Sequence, residues 1–302
     1  MDFKITILGS GAAVPTSRRN PSAQYVVCRD RHILIDCAEG TQMRLRENEL
    51  KFQKIDHVLI SHLHGDHFFG LIGLLSTMHL LGRKRTINIY APEGLEEIVN
   101  IQLLHGGARF GYEINFYPID IDNYGVLFED SQIELLHFPL SHKIPTSGFI
   151  VREKLQERRL NVALAQENGV RIENYHRLKK GEDVEQDGKK FFSDDYTFPS
   201  PKPKAYAYCS DTKYSEVIIP FISEVDLLYH EATFIEEHLE RATSTKHSTA
   251  MQAAQIANKA RVKRLLIGHI SARYNSVDEH IAEAKSKFAN TTVVEDNDVF
   301  VV

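Results

Sequence analysis

Short apolar runs separated by polar or glycine-containing corners recur along the chain, and the period within each run assigns it to strand or helix. Runs over 4–8, 23–28, 32–36, 57–61, 86–91, 114–118 and 133–139 have strand length, with 23–28 and 32–36 forming a hairpin across Arg29-Asp30-Arg31. Helical spacing marks 68–81 and 94–104, and Asp36 is read as the cap of a helix running to about residue 49. From 152 to 204 the pattern breaks: this stretch is charged, is interrupted by Gly169, Gly181 and Gly188, and closes on Pro199, Pro201 and Pro203. It reads as an insertion projecting from the core. Alternation resumes with strands over 205–209, 226–230 and 264–268 and a helix over 250–260. The whole pattern predicts an α/β fold.

The polar corners carry the chemistry. His62-Leu63-His64-Gly65-Asp66-His67 follows the run 57–61 and opens the helix-like run 68–81. A strand ending at Ser61 places His62 and His64 on the same side, because side chains alternate with period two. Gly65 then permits a tight change of direction, and Asp66 and His67 serve a neighbouring position from the start of the helix. The spacing suggests two metal ions, and the imidazole and carboxylate donors suit zinc, with manganese or iron as alternatives, whereas calcium prefers an all-oxygen shell. Further donors follow later apolar runs: His142 after 133–139, Asp211 after 205–209, Glu231 after 226–230 and His269 after 264–268. Sites in open α/β sheets assemble at the carboxyl ends of strands, so these corners can converge. The glycines of Gly9-Ser10-Gly11 lead to Pro15 instead of a helix, so a dinucleotide fingerprint fails and the stretch reads as a turn bordering a site.

Composition changes this picture little. With 302 residues and 42% hydrophobic content, the chain suits one large domain or two fused halves. Cys28, Cys37 and Cys209 have no C-x-x-C spacing and read as core thiols in a reducing, cytoplasmic setting. The amino-terminal apolar run is too short for a signal peptide and no run has the length to span a bilayer, so no membrane association is expected. The net charge of −5 is unusual for a nucleic-acid binder, although 150–205 holds 12 Lys+Arg against 10 Asp+Glu.

H-x-H-x-D-H followed at long intervals by His142, Asp211 and His269 resembles the metallo-β-lactamase fold. His230-Glu231-Ala232-Thr233, Lys246-His247-Ser248-Thr249 and Ser271-Ala272-Arg273-Tyr274 narrow the resemblance to the ribonuclease Z family, endonucleases that remove 3′ trailers from precursor tRNA. The family loop P-x-K-x-R-N appears as Pro15-Thr16-Ser17-Arg18-Arg19-Asn20, with serine in place of lysine and Arg18 beside it, and the insertion lacks the Gly-Pro turn common in bacterial relatives. What the resemblance implies is a single domain over 1–302, a four-layer αβ/βα sandwich, with a flexible tRNA-binding arm inserted at about 152–204. It implies two zinc ions per subunit, one held by His62, His64 and His142, the other by Asp66, His67 and His269, with Asp211 bridging. It further implies attack by metal-bound hydroxide on a phosphodiester with Asp66 as general base, His247 protonating the departing 3′-oxygen, and Glu231 orienting His247. The expected partners are precursor tRNA, gripped by Lys179, Lys180, Lys189 and Lys190, and a second copy in a homodimer.

Read without the family, Glu231 can equally satisfy buried backbone donors, His247 can belong to a helix-capping loop, and Arg273 can contact phosphate or sit in an ion pair. His230 reads as structural, and His32, His57, His79, His105, His137, His176, His238 and His280 read as packing or surface residues. Two other functional classes are weighed: the same centre acting on a small phosphodiester, ester, lactam or thioester, and a non-catalytic RNA-binding scaffold. The filled set of seven ligand positions weighs against the scaffold.

Overall fold

The computed structural model describes residues 3–107 and 109–302; Met1 and Asp2, which begin the amino-terminal run read above, lie outside the described residues, as does Ala108. The apolar runs become strands because most of them bury both faces. Ile33 and Ile35 enter one apolar cluster while Leu34 between them enters another; Tyr206 and Tyr208 likewise oppose Ala207 and Cys209.

Two seven-stranded mixed sheets result. The first runs in the order Val299–Val301, Lys4–Gly9, Ala23–Cys28, Arg31–Ile35, Ile55–Leu59, Ile87–Ala91 and Ile114–Pro118. The second runs Thr291–Val293, Leu265–Gly268, Leu227–Glu231, Ala205–Cys209, Ser147–Glu153, Ile133–Pro139 and Gly125–Glu129. Ile5, Ile35 and Leu59 of the first sheet share a buried cluster with Phe149, Tyr206 and Leu266 of the second, so the sheets pack face to face. Outside the first sheet lie helices Thr41–Glu47, Leu71–Leu80 and Leu95–His105; outside the second lie Ala250–Lys259 and Asp278–Lys287. The architecture is the four-layer αβ/βα sandwich expected from the sequence. Within each sheet, parallel neighbours bring Ile35 level with Leu59, Cys209 with His230, and Glu231 with Gly268. The corners that follow these strands are thereby set side by side.

Three local expectations need correction. Asp36 does not cap a helix: the helix Thr41–Glu47 begins after Gly40 without a side-chain cap, and Asp36, at φ 55°, is fully buried beneath the site. Gly65 does not adopt a positive φ; a Cβ there would fall 2.2 Å from the exposed Phe69 ring, which would have to turn aside. The single helix expected over 68–81 is two, Gly65–Phe68 and Leu71–Leu80, separated at Gly70, where a Cβ would meet the Ala38 carbonyl oxygen at 1.9 Å.

The chain divides into two compact units, Met1–Arg152 with Lys204–Val302, and Glu153–Pro203. The smaller unit has its own core of Ala165, Val170, Leu178, Val184 and Phe191. Its hairpin Val184–Gln186 and Lys189–Phe191 turns at Asp187-Gly188, both at positive φ, as a tight two-residue turn requires. Within 153–203 the charges balance, 10 Lys+Arg against 10 Asp+Glu, so the excess read over 150–205 comes from Arg152 and Lys204. Lys179 pairs with Glu157 at 2.8 Å and Lys190 with Asp183 at 3.4 Å, while Lys189 lies over the Phe191 ring and Lys180 is exposed. No helix among the described residues is long and apolar enough to cross a membrane.

Candidate metal centre

Beyond the ends of the strands, the seven expected donors gather in two groups. His62, His64, His142 and Asp211 form one; Asp66, His67 and His269 form the other, each with its donor atoms within 4.8 Å of one another. Asp211 faces both: Oδ2 lies 3.6 Å from His62 Nε2 and 3.8 Å from His142 Nε2, while Oδ1 lies 3.5 Å from His67 Nε2 and 3.2 Å from His269 Nε2. Asp66 Oδ2 closes the second group at 3.6 Å from His67 Nε2 and 3.5 Å from His269 Nε2.

The outer nitrogens of four rings are occupied, which fixes which nitrogen faces inward. His67 Nδ1 donates to Asp36 Oδ2 at 2.7 Å, His142 Nδ1 to the Lys246 carbonyl at 2.9 Å, His269 Nδ1 to Thr233 Oγ1 at 2.9 Å, and His62 Nδ1 to Ser61 Oγ at 3.1 Å. His64 presents Nδ1 instead, 3.0 Å from His62 Nε2. The left-handed backbone of Lys246, φ 56°, turns its carbonyl to His142, and its Nζ returns a bond to the His142 carbonyl at 2.9 Å.

The centre tests well for a metal. His67 Nε2, His269 Nε2 and Asp211 Oδ1 are buried with no hydrogen-bond partner and, unlike the unpartnered nitrogens of His230 and His280, they converge, with Asp211 Oδ1 3.5 Å from His67 Nε2 and 3.2 Å from His269 Nε2. All three belong to the inward-facing set, and nitrogen and carboxylate oxygen are the donors zinc takes. Burial opposes a charged His67, yet the Asp211 and Asp36 carboxylates raise it well above the usual histidine range; burial and the neighbouring His67 push His62 well below it. Burial likewise opposes the Asp66 carboxylate, but the His269 hydrogen bond and the charges of His67 and His269 hold its pKa far below the ordinary value. Asp66 Oδ2 also accepts from the Ala13 backbone N–H at 2.9 Å, so the glycine-containing turn borders the site.

Beside the two groups stands a second constellation. Glu231 is fully buried; Oε1 accepts from His247 Nδ1 at 2.9 Å and the Thr212 N–H at 3.0 Å, and Oε2 from the Thr233 N–H at 3.0 Å and hydroxyl at 2.7 Å. The two readings of Glu231, backbone satisfaction and His247 orientation, thus hold together. His247 precedes the Thr249 capping box of helix Ala250–Lys259. Burial disfavours its charge, but Glu231, Asp211 and Asp66 outweigh that and raise His247 to about 9. Its Nδ1 is 3.9 Å from Asp211 Oδ2, so the closer Glu231 claims it. A cavity of about 440 Å3 opens here, lined by His64, Asp66, His247, His269, Arg241 and Arg273 among others. Arg273 resolves its two sequence readings toward the cavity: it lies over the Phe234 ring at 5.0 Å and, among the described residues, pairs with no carboxylate. His230 is buried and donates to the Glu231 carbonyl at 2.7 Å, away from the centre.

From the sequence, Asp36 carries only a capping role, Thr233 and Lys246 stand only within the family motifs, and Ser61 has no assigned role. Asp36 had a usable signal, since it ends the strand run 32–36 as the other donors end theirs. The others act through hydroxyl or carbonyl oxygens that carry no sequence signature.

Two sheets packed face to face, with a histidine and aspartate cluster at the strand ends, define the metallo-β-lactamase fold class. The metallo-β-lactamase fold protein YhfI from Bacillus subtilis matches over 100% of both chains with TM-score 0.71 at 19% identity. The short form of human tRNase Z matches over 98% of both chains with TM-score 0.72 at 28% identity. A family model described as Anti-Pycsar protein Apyc1 matches residues 3–147. Ribonuclease Z of Porphyromonas gingivalis is 43% identical over 290 residues, covering 96% of this chain and 95% of that protein. The chain belongs to the ribonuclease Z family.

Proposed function

We propose that the chain is a two-metal endoribonuclease that cuts the 3′ trailer from precursor tRNA and leaves a 3′-hydroxyl on the tRNA. The observation that carries this reading is the pairing of two donor groups across Asp211 with the adjacent His247–Glu231 couple, in a chain related along its length to ribonuclease Z. His62, His64 and His142 would hold one ion, Asp66, His67 and His269 the other, and Asp211 both; zinc suits this set best, with manganese or iron next. Bound there, two divalent ions supply positive charge to the phosphodiester and acidity to water.

The chain's own groups do the rest. Asp66 accepts the proton of the attacking water as general base, and the Ala13 N–H fixes one of its oxygens. His247, charged at neutral pH, gives its proton to the departing 3′-oxygen; Glu231 takes Nδ1 and leaves Nε2 as the donor. Arg241 and Arg273 add positive charge to the cavity that receives the RNA. The segment Glu153–Pro203 serves as the tRNA-binding arm, gripping shape and backbone without reading sequence. Its paired lysines would have to exchange carboxylate partners for phosphate.

A homodimer is supported by Met43, Phe69, Leu80, Leu81, Ile101 and Leu104, large apolar side chains left exposed on or beside helices of the amino-terminal half. A cytoplasmic setting is supported by three buried free cysteines. The test compares turnover of a precursor tRNA with that of bis(p-nitrophenyl) phosphate, each with and without chelator. Metal-dependent cleavage of both is expected; turnover of the small diester alone would keep the hydrolytic centre and remove the tRNA assignment.

A further inference from the structure

Ser61 is fully buried between strand Ile55–Leu59 and helix Gly65–Phe68. Its backbone N–H donates to Asp36 Oδ1 at 2.7 Å, and its hydroxyl lies 2.9 Å from Asp36 Oδ2, 3.1 Å from His62 Nδ1 and 2.9 Å from Ser210 Oγ. Asp36 Oδ2 also receives His67 Nδ1 at 2.7 Å and the Tyr208 hydroxyl at 2.8 Å.

A proton count orders this network. A carboxylate only accepts, and a serine hydroxyl has one proton to give and lone pairs to receive. The Ser61 proton therefore goes to Asp36, and its lone pairs take the protons of His62 Nδ1 and Ser210 Oγ. His62 is left with its Nε2 lone pair facing Asp211, as His67 is left with its own by Asp36. His62 belongs to one donor group and His67 to the other.

We propose that Ser61 is a positioning residue that couples the two metal positions, joining His62 of one to the Asp36 carboxylate that holds His67 of the other. The inference rests on the two-metal reading above. Without the hydroxyl, His62 has no buried acceptor for Nδ1–H and can turn an N–H toward the metal position, whereas His67 keeps Asp36. Loss of a partner that orients a ligand costs about 10–100-fold in metal affinity. That loss should fall on the His62, His64 and His142 position alone for Ser61→Ala, and on both positions for Asp36→Asn. The double variant should be no weaker than Asp36→Asn, because the two groups act in one chain of hydrogen bonds.

Cobalt(II) chloride titration of the metal-free protein, followed by visible absorption and calorimetry, reads coordination without turnover. Wild type should take up two ions in closely spaced steps. Ser61→Ala should separate them, one step about 10–100-fold weaker and the other within about threefold, and Ser61→Thr, which restores the hydroxyl, should bring them together again. Equal weakening of both steps, or none, would overturn the positioning of His62 by Ser61, and a double variant weaker than Asp36→Asn would overturn the coupling, each leaving the two-metal reading intact. Uptake of fewer than two ions by wild type would remove that reading and the inference with it. Nitrogen-15 spectra of the wild-type histidines give an answer that needs no variant to fold: His62 must be in the Nδ1–H form, and an Nε2–H form overturns the proposal.

Discussion

Glu231 Oε1 and His247 Nδ1 lie 2.9 Å apart, and the same fully buried carboxylate is pinned by the Thr212 and Thr233 backbone N–H groups. Such a carboxylate cannot swing away, so it fixes the orientation of the imidazole it holds and favours the charged form. His247→Asn should lower precursor cleavage about 100- to 10,000-fold. It should cost far less with a p-nitrophenolate leaving group, which needs no proton. Equal losses on both would argue that His247 holds structure or metal and does not act as an acid.

The same pair sets a pH limb. The charged imidazole is present below its raised pKa of about 9 and is lost as pH climbs through that value. Wild-type kcat should therefore fall on the alkaline side, and Glu231→Gln should move that limb toward lower pH, since the Glu231 carboxylate raises His247 above its ordinary 6.5. A kcat–pH profile for each protein checks this.

Asp66→Ala should abolish cleavage, with a loss of at least about 100-fold, while tRNA affinity stays within about threefold because binding draws on other surfaces. Gel-shift and cleavage assays on one preparation separate the two effects. An unchanged cleavage rate would end its assignment as general base.

The inserted unit can be removed cleanly. Arg152 is paired with Ala205 across antiparallel strands, so a two-residue Asn-Gly turn can join the chain in place of residues 153–204. The shortened protein should lose at least about 100-fold in kcat/KM on precursor tRNA, in keeping with many lost phosphate contacts, but keep its turnover of a small diester. Equal losses on both substrates would count against a gripping role.

Two histidines far from the chemistry should limit stability in acid. His57 and His280 are buried, and burial pushes each down to about 4. A histidine depressed in the folded state binds its proton more readily when unfolded, so its stabilising contribution is full above about 6.5 and is lost as pH falls toward 4. Each can cost up to about 3 kcal/mol below that range. Neither ring nitrogen of His280 has a hydrogen-bond partner, so His280→Leu should hold or raise stability at neutral pH and flatten the decline in acid. Urea unfolding from pH 7 to 4 measures both.

Which side chains gather was largely legible in the sequence, because four donors fall within 62–67 and the rest each end an apolar strand. The sheets were legible for the same reason: runs such as Ile33-Leu34-Ile35 bury both faces and so lack polar alternation. Four sheet strands were not read: Ser147–Glu153, Thr291–Val293, Val299–Val301 and Gly125–Glu129, the last because a bulge between Val126 and Phe128 breaks its period and Gly125 is there to clear the His137 ring. Asp36 was misread because an aspartate four residues before Gly40 fits a cap as well as a buried acceptor; only its left-handed backbone and the neighbouring strand decide between them. Ser61 was illegible because its role depends on where Asp36 and Ser210, distant in sequence, are brought by the fold.

The most direct test is incubation of the zinc-loaded protein with a 3′-extended tRNA precursor, mapping the position and end chemistry of any cut, with chelated protein and Asp66→Ala in parallel. A single cut just after the discriminator base, leaving a 3′-hydroxyl and absent from both controls, is the result predicted here. No cut in the precursor, from a protein that binds two metals and hydrolyses a small diester, would contradict it.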